Sequence, residues 1–278
     1  MTERFVVIGA GTMGIGIAYV AANAGYQVEL VEVDPSRRVA ARTELERLWA
    51  GAVGRGRLSE TEAADGRTRV GFVETVADGA AVVVEAVPER LELKREVLAQ
   101  AAAARPALLA SNTSSIPIGA LGEGVIGLHF FNPVWAMPLL EIVVGAGTPP
   151  GAVDAARAVA ARLGKDPVVV RDQPGFATSR LGVALGLEAI RMLEDGVAGA
   201  ADIDKAMVLG YRHPVGPLEL TDLVGLDVRL DIARTLADAY GSRFDPPELL
   251  VSLVAAGRLG RKSGHGFYRW VDGVKQAP

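Results

Sequence analysis

The chain has 278 residues, 50% of them hydrophobic and 22% charged, which supplies enough apolar material for one large core or two ordinary ones and excludes long disordered spans. A formal net charge of −4 argues against a general nucleic-acid binder, although Arg37, Arg38, Arg42, Arg47, Arg55 and Arg57 form a local basic cluster suited to an anionic ligand. No cysteine is present, so disulfides, thiolate metal sites and a cysteine nucleophile are excluded.

Residues 4–9, RFVVIG, read as a buried strand reached within four residues, which leaves no room for a cleavable leader. No later apolar run is long enough to span a bilayer, so the expectation is a cytoplasmic protein. MGIGIAYVAANAG has helical spacing up to Gly25, a C-cap, and YQVELVEVD is a second strand. Continuous apolar strands alternating with helices predict a parallel sheet covered on both faces. The pattern continues through a helical stretch 35–50, interrupted by AGAVGRGRLSE, then the strands GRTRVGFVET and AAVVVEAVPE, a helix over 90–104 and the strand ALLASNTSS. GVIGLHFF and PLLEIVVG have only a loop between them, too little for a helical crossover, and are expected to pair antiparallel. A helix over 151–163 leads to DPVVVRD. After QPGFATSRL the strand pattern stops. LGVALGLEAIRMLEDG, DIDKAMVLG, LELTDLVGLDVRLDIARTLADAYG and PPELLVSLVAAG read as successive helices punctuated by Gly and Pro. The fold class is α/β: a Rossmann-like nucleotide-binding domain over 1–177, then an all-α domain over 178–278.

Gly9, Gly11 and Gly14 form G-x-G-x-x-G between the first strand and its helix, where the backbone can turn sharply and approach a pyrophosphate at the helix N-terminus. Glu32 lies 18 residues beyond Gly14 at the end of the second strand, positioned to accept hydrogen bonds from ribose hydroxyls. The same carboxylate repels a 2′-phosphate, which favours NAD over NADP, while Arg37 and Arg38 leave some room for the phosphorylated cofactor.

Oxidising an alcohol with a nicotinamide needs a base near the hydroxyl proton, and imidazole titrates closest to working pH. Only His129, His213 and His265 are available, and the last two fall in Gly- or Pro-rich turns. His129 closes a strand of the nucleotide-binding half. If the two strands flanking residues 131–138 pair antiparallel, Glu141 can face His129, fixing its tautomer and stabilising the imidazolium. Spacing alone is equally compatible with a structural histidine and a solvated glutamate. In ASNTSS, Ser114 is placed for a substrate oxygen and Asn112 for the nicotinamide or its ribose; a simple Asx or Ser turn is the alternative.

Taken in order, VIGAGTMGIGIA, VVVEAVPERLELK, SNTSSIPI, GLHFFNP, LLEIV, GKDPVVVRDQPGF, DIDKAM, HPVGPLELTDLVGLD and GRKSGHGFY resemble the L-3-hydroxyacyl-CoA dehydrogenases, especially the bacterial 3-hydroxybutyryl-CoA enzymes, along nearly the whole chain. The resemblance implies His129 as catalytic base, Glu141 as its partner and Ser114 on the substrate's 3-oxygen. It implies a cofactor shell of Gly9, Gly11, Thr12, Met13, Gly14, Glu32, Ala86, Glu89, Lys94, Asn112, Ser114, Asn132 and Lys262. Arg55 falls near the family's basic contact for coenzyme A, and Asn132 also belongs to the substrate side. No metal is implied. The expected partners are an acyl-CoA substrate and a second copy of the chain, joined through the helical domain, with the active site in the cleft between domains, in an enzyme of fatty-acid metabolism. One departure is Ser179, where the family has an asparagine that helps hold the substrate; serine offers one hydroxyl in place of an amide's separate donor and acceptor. Trp135 and Pro138 likewise replace a smaller residue and a lysine. A dehydrogenase of a free 3-hydroxy acid, of the carnitine or gulonate type, and a non-catalytic crystallin-like relative are the alternatives.

Overall fold

Strand β1 (Arg4–Ile8) buries Phe5, Val6, Val7 and Ile8 in succession, the mark of a strand covered on both faces. The structure, a computed structural model, describes residues 3–276, and the chain divides into two units, Met1–Gln173 and Pro174–Pro278. In the first unit the elements run β1, α1 (Thr12–Asn23), β2 (Gln27–Val31), α2 (Pro35–Gly54), α3 (Glu60–Thr68), β3 (Val70–Val73), β4 (Val82–Glu85) and α4 (Leu91–Ala103). They continue with β5 (Leu108–Ser111), a short α5 (Ile118–Leu121), β6 (Val125–Phe130), β7 (Leu139–Val144), α6 (Ala152–Arg162) and β8 (Asp166–Arg171).

The eight strands form one sheet in the order β3-β2-β1-β4-β5-β6-β7-β8. All neighbours from β3 to β6 are parallel, β7 runs antiparallel to β6, and β8 is parallel to β7. The chain order reverses between β1 and β4, so the loops leaving these two strands open the crevice in which such sheets hold ligands. Beyond β7 the sheet is less covered: Val168 and Val169 of the edge strand β8 are 45% and 36% exposed.

Two departures from the sequence pattern have local causes. Helix α2 does not end near residue 50 but runs through Gly51 to Gly54. Leu45, Leu48, Trp49 and Ala52 are buried along it, and the Trp49 indole N–H donates to Asn23 Oδ1 at 2.9 Å, so packing outweighs the cost of glycine in a helix. The missing side chain at Gly51 also leaves room for the Arg55 guanidinium, whose Nη1 lies 3.1 Å from where a Cβ would stand. In the second unit, LELTDLVGLDVRLDIARTLADAYG is two helices, not one. Gly225, at φ +109°, separates α9 (Pro217–Val224) from α10 (Leu226–Tyr240) in a conformation that L side chains rarely adopt.

The second unit also contains α7 (Thr178–Glu194), α8 (Ala200–Tyr211), α11 (Glu248–Ala255) and two 3-10 turns. A short ribbon of β9 (Trp270–Val271) and β10 (Val274–Lys275), absent from the sequence reading, follows them. Its own core gathers Val183, Leu187, Leu218, Leu226, Leu230, Leu236 and Leu250. Two buried carboxylates tie loops to it. Asp204 accepts from the Leu218 and Glu219 N–H groups at the start of α9 and from the Tyr268 hydroxyl. Asp222 accepts from the N–H groups of Phe267 and Tyr268 and from the Trp270 indole. Among the described residues no helix is long and apolar enough to cross a membrane.

Candidate active site

The antiparallel register of β6 and β7 sets His129 directly opposite Glu141. Side chains of directly opposed residues leave the same face of the sheet, so the pair meets because the strands pair this way. His129 Nδ1 lies 2.7 Å from Glu141 Oε2, with 4% and 1% of the two residues exposed. On the other side of the ring, Nε2 lies 3.0 Å from the Ser114 hydroxyl oxygen. A carboxylate accepts, so Nδ1 carries the proton and the Nε2 lone pair faces the Ser114 hydroxyl. Phe131 packs against the imidazole with ring centroids 4.5 Å apart.

Ser114 comes from the turn after β5, and this turn is fastened at several points. Glu89 Oε1 accepts from the Thr113 hydroxyl at 2.5 Å, from the backbone N–H groups of Ser114 and Ser115 at 3.0 and 2.9 Å, and from the Ser115 hydroxyl at 3.0 Å. Burial alone would raise the Glu89 pKa. The Lys94 ammonium, the Thr113 hydroxyl and the Ser115 donors together outweigh burial and hold it below the usual 4.5. Asn112 Oδ1 accepts from the Phe130 N–H at 2.8 Å, tying the same turn to the residue beside His129. Lys94, expected in the cofactor shell, is fully buried and bonded to Glu85 and Glu89.

The glycine loop fits a dinucleotide. A Cβ on Gly14 would stand 1.8 Å from the Gly9 carbonyl oxygen, and one on Gly9 would stand 2.9 Å from the Ala86 carbonyl oxygen, in a backbone with φ +104°. Around Gly11, by contrast, nothing lies within 4 Å of that position, which leaves the side toward a phosphate open. Thr12 and Met13 begin α1, whose first turn has neither an acidic residue nor a side-chain cap, so its N–H groups and positive dipole end suit an anion. Glu32 is buried at the end of β2, accepting from the N–H groups of Ala10 at 3.4 Å and Asp34 at 3.1 Å. Arg37 and Arg38, the groups that left room for a 2′-phosphate, face the protein's own carboxylates on Asp34 at 4.0 Å and Glu74 at 2.9 Å.

The basic cluster therefore splits. Arg47 is bonded to Glu44 and Arg42 lies over the Phe72 ring, whereas Arg55 and Arg57 line a cavity of about 340 Å³. Arg162, Tyr19, Trp135 and Leu58 also line it. Asn132 is exposed, at the start of the loop after β6. Ser179 and Lys262 belong to the helical unit: Ser179 sits half-buried in the first turn of α7, and Lys262 is exposed with its ammonium 2.6 Å from Asp227 Oδ2. His213 and His265 lie in turns of that same unit. The sequence reading had no part for Glu85, Ser111 or Lys165. Glu85, at the end of the buried strand VVVE, was the visible signal, because a buried charge requires a partner.

The chain has counterparts among known proteins. The NAD binding domain of 3-hydroxyacyl-CoA dehydrogenase matches residues 4–173, and the C-terminal domain of the same enzyme matches residues 175–270. A probable 3-hydroxybutyryl-CoA dehydrogenase of Bacillus subtilis is 39% identical, over 97% of this chain and 98% of its own. Among solved structures, Mycobacterium tuberculosis FadB2 is 39% identical with a TM-score of 0.93, covering 97% of this chain and 99% of its own. The (S)-3-hydroxybutyryl-CoA dehydrogenase of Ralstonia eutropha is 33% identical with a TM-score of 0.87, over 98% of this chain and 100% of its own. Matched in both halves and by relatives of equal extent, the chain belongs to the 3-hydroxyacyl-CoA dehydrogenase family.

Proposed function

We propose that the chain interconverts an L-3-hydroxyacyl-CoA, with 3-hydroxybutyryl-CoA as the preferred size, and the corresponding 3-oxoacyl-CoA, using NAD. The observation that carries this reading is the Ser114–His129–Glu141 chain at 3.0 and 2.7 Å, its histidine and glutamate buried, in the same unit as a glycine loop fitted to a dinucleotide. Bound NAD supplies the hydride acceptor. His129 Nε2 takes the hydroxyl proton during oxidation, and Glu141 holds the ring in the tautomer that leaves Nε2 free to do so and stabilises the imidazolium that results. Ser114 orients the reacting oxygen toward Nε2. In reduction the same imidazolium returns the proton. Glu32 selects NAD over NADP by occupying the region that a 2′-phosphate would need with a negative charge.

Arg55, Arg57 and Arg162 give the cavity of about 340 Å³ the charge suited to the phosphates of coenzyme A, while Trp135 and Tyr19 give it apolar wall. This favours a coenzyme A thioester over a free 3-hydroxy acid. NADH consumption, followed by fluorescence with acetoacetyl-CoA and in parallel with the keto forms of carnitine- and gulonate-type acids, is expected only with the thioester. Turnover of the free acids alone, or no consumption with any of them, overturns the reading. The exposed Leu181, Leu209 and Tyr211 of the helical unit support a homodimer built through it. Sedimentation of the purified chain checks this, and a monomer at micromolar concentration would remove it. A cytoplasmic enzyme of short-chain fatty-acid metabolism is the setting that fits this activity.

A further inference from the structure

Trp135 stands on the loop between β6 and β7, and the loop is fastened on both sides of it. Val134 is buried against α1, where a Cβ on Gly16 would stand 2.8 Å from Val134 Cγ2, and the Lys165 ammonium donates to the carbonyls of Val134 and Met137. The indole is half-buried. It meets Tyr19 in a T-shaped contact, with ring centroids 6.2 Å apart and planes at 75°, and lines the cavity of about 340 Å³. The same cavity holds the two arginines of the basic cluster that the protein leaves uncompensated. Arg37, Arg38 and Arg47 face Asp34, Glu74 and Glu44, and Arg162 is paired with Glu3, whereas among the described residues Arg55 and Arg57 are paired with no carboxylate. Burial raises the Tyr19 phenol and both of these guanidiniums act against that rise, so both charges lie near the Tyr19 hydroxyl on the cavity wall. The cavity follows the C-terminal half of α1 as far as Asn23, and the glycine loop adjoins Thr12 at the other end, about 16 Å away along the helix axis. An aromatic wall beside two free guanidiniums, remote from the dinucleotide loop, is the chemistry that holds a second nucleotide: a base lies on the ring and its phosphates take the charge.

We propose that Trp135 is a specificity-determining residue that stacks on the adenine of coenzyme A, so that the enzyme selects a thioester carrying the 3′-phosphorylated nucleotide over the same acyl group on pantetheine or on a carrier protein. Pantetheine has neither base nor phosphate, and the prosthetic group of a carrier protein has one phosphate and no base, so neither can use the indole. Because Lys165 and Val134 hold the loop in place, the ring needs no ordering when the base arrives. The adenine takes no part in the chemistry, so its stacking is equal in the ground state and the transition state, and its loss falls on KM and spares kcat. This role rests on the dehydrogenase reading above, which gives the cavity to coenzyme A.

The test compares two thioesters of one acyl group. Reduction of acetoacetyl-CoA and of acetoacetyl-pantetheine by NADH is measured in the unsubstituted chain, Trp135→Ala and Trp135→Phe. The unsubstituted chain should show the lower KM for the coenzyme A thioester. Trp135→Ala is expected to raise that KM about fivefold to a hundredfold with kcat within about twofold, and to move the KM for the pantetheine thioester by less than about twofold; Trp135→Phe, which keeps a ring, should recover most of the loss. A calorimetric titration with adenosine 3′,5′-bisphosphate, the dinucleotide site being saturated with NADH, should find binding to the unsubstituted chain and weaker binding, by a similar factor, to Trp135→Ala. An equal rise in KM for both thioesters, a loss confined to kcat, or bisphosphate binding abolished by NADH overturns the proposal. Should Trp135→Ala fail to accumulate as folded protein, Trp135→Leu, apolar and bulky but without a ring, takes its place. An unsubstituted chain inactive on acetoacetyl-CoA sinks both readings, whereas an unchanged KM in an active ringless variant sinks only this one.

Discussion

At the scale of single residues, the site depends on two bonds to one imidazole. Glu141 engages Nδ1 and Ser114 engages Nε2, so the His129 imidazole links the two. His129→Gln keeps a polar group of similar reach but cannot accept and return a proton, and kcat should fall about 10²–10⁴-fold while NADH binding is retained. Steady-state kinetics beside a fluorescence titration checks this, and near-normal turnover would remove His129 from the mechanism. This pair was legible in the sequence because a strand has a period of two and a short loop dictates antiparallel return. The network behind it was not legible. Glu85, Lys94 and Ser111 come from β4, α4 and β5 and Glu89 from the loop between β4 and α4, and it is the sheet order that puts β4 beside β5 that brings Ser111 onto Glu85. Lys94, which the resemblance implies among the cofactor contacts, is completely buried and bonded to Glu85 and Glu89.

At the scale of elements, what could be read depended on whether local chemistry or packing decides the outcome. The buried strands, the turn at Gly25 and the β6–β7 return follow from runs and punctuation in the sequence itself. Helix α2 shows the opposite case. Gly51 and Gly54 read as an interruption, but the buried side chains of Leu45, Leu48, Trp49 and Ala52 carry the helix through them, and Arg55 occupies the space that Gly51 leaves. The break between α9 and α10 went unread for a related reason: Gly225 sits in an otherwise continuous apolar repeat, and only its φ of +109° reveals the turn. A Cβ there would stand 2.9 Å from Asp227 Oδ1 and 3.2 Å from the Lys262 ammonium nitrogen, so this break also sets the pairing of those two charged side chains. Lys165 does comparable work in the first unit. It is buried, its pKa is lowered by desolvation, and it donates to the carbonyls of Val134 and Met137, which fastens the loop that follows His129.

At the scale of the whole molecule, each unit encloses a carboxylate whose titration is displaced, and the two displacements have opposite sign. Burial raises the Asp222 carboxyl, and its three hydrogen-bond donors do not fully offset this; for Glu89, Lys94 and the hydroxyl and amide donors more than offset burial and lower it. Linkage then gives opposite consequences. The stabilisation from ionised Glu89 is present above the unfolded-state carboxylate pKa and is lost as pH falls through its lower folded-state value. Asp222 is the reverse: its buried charge weakens the fold at neutral pH, and the penalty is relieved as pH falls through its raised value, where the folded state binds a proton before the unfolded state does. Thermal melts of the unsubstituted chain, Glu89→Gln and Asp222→Asn between neutral pH and the acid limit therefore separate the two. The stability lead over Glu89→Gln should narrow as pH falls, and the lead over Asp222→Asn should widen. Parallel curves for all three proteins would mean that neither carboxylate titrates differently in the folded chain, and that the Lys94 bridge and the Trp270–Asp222 clasp contribute through shape alone.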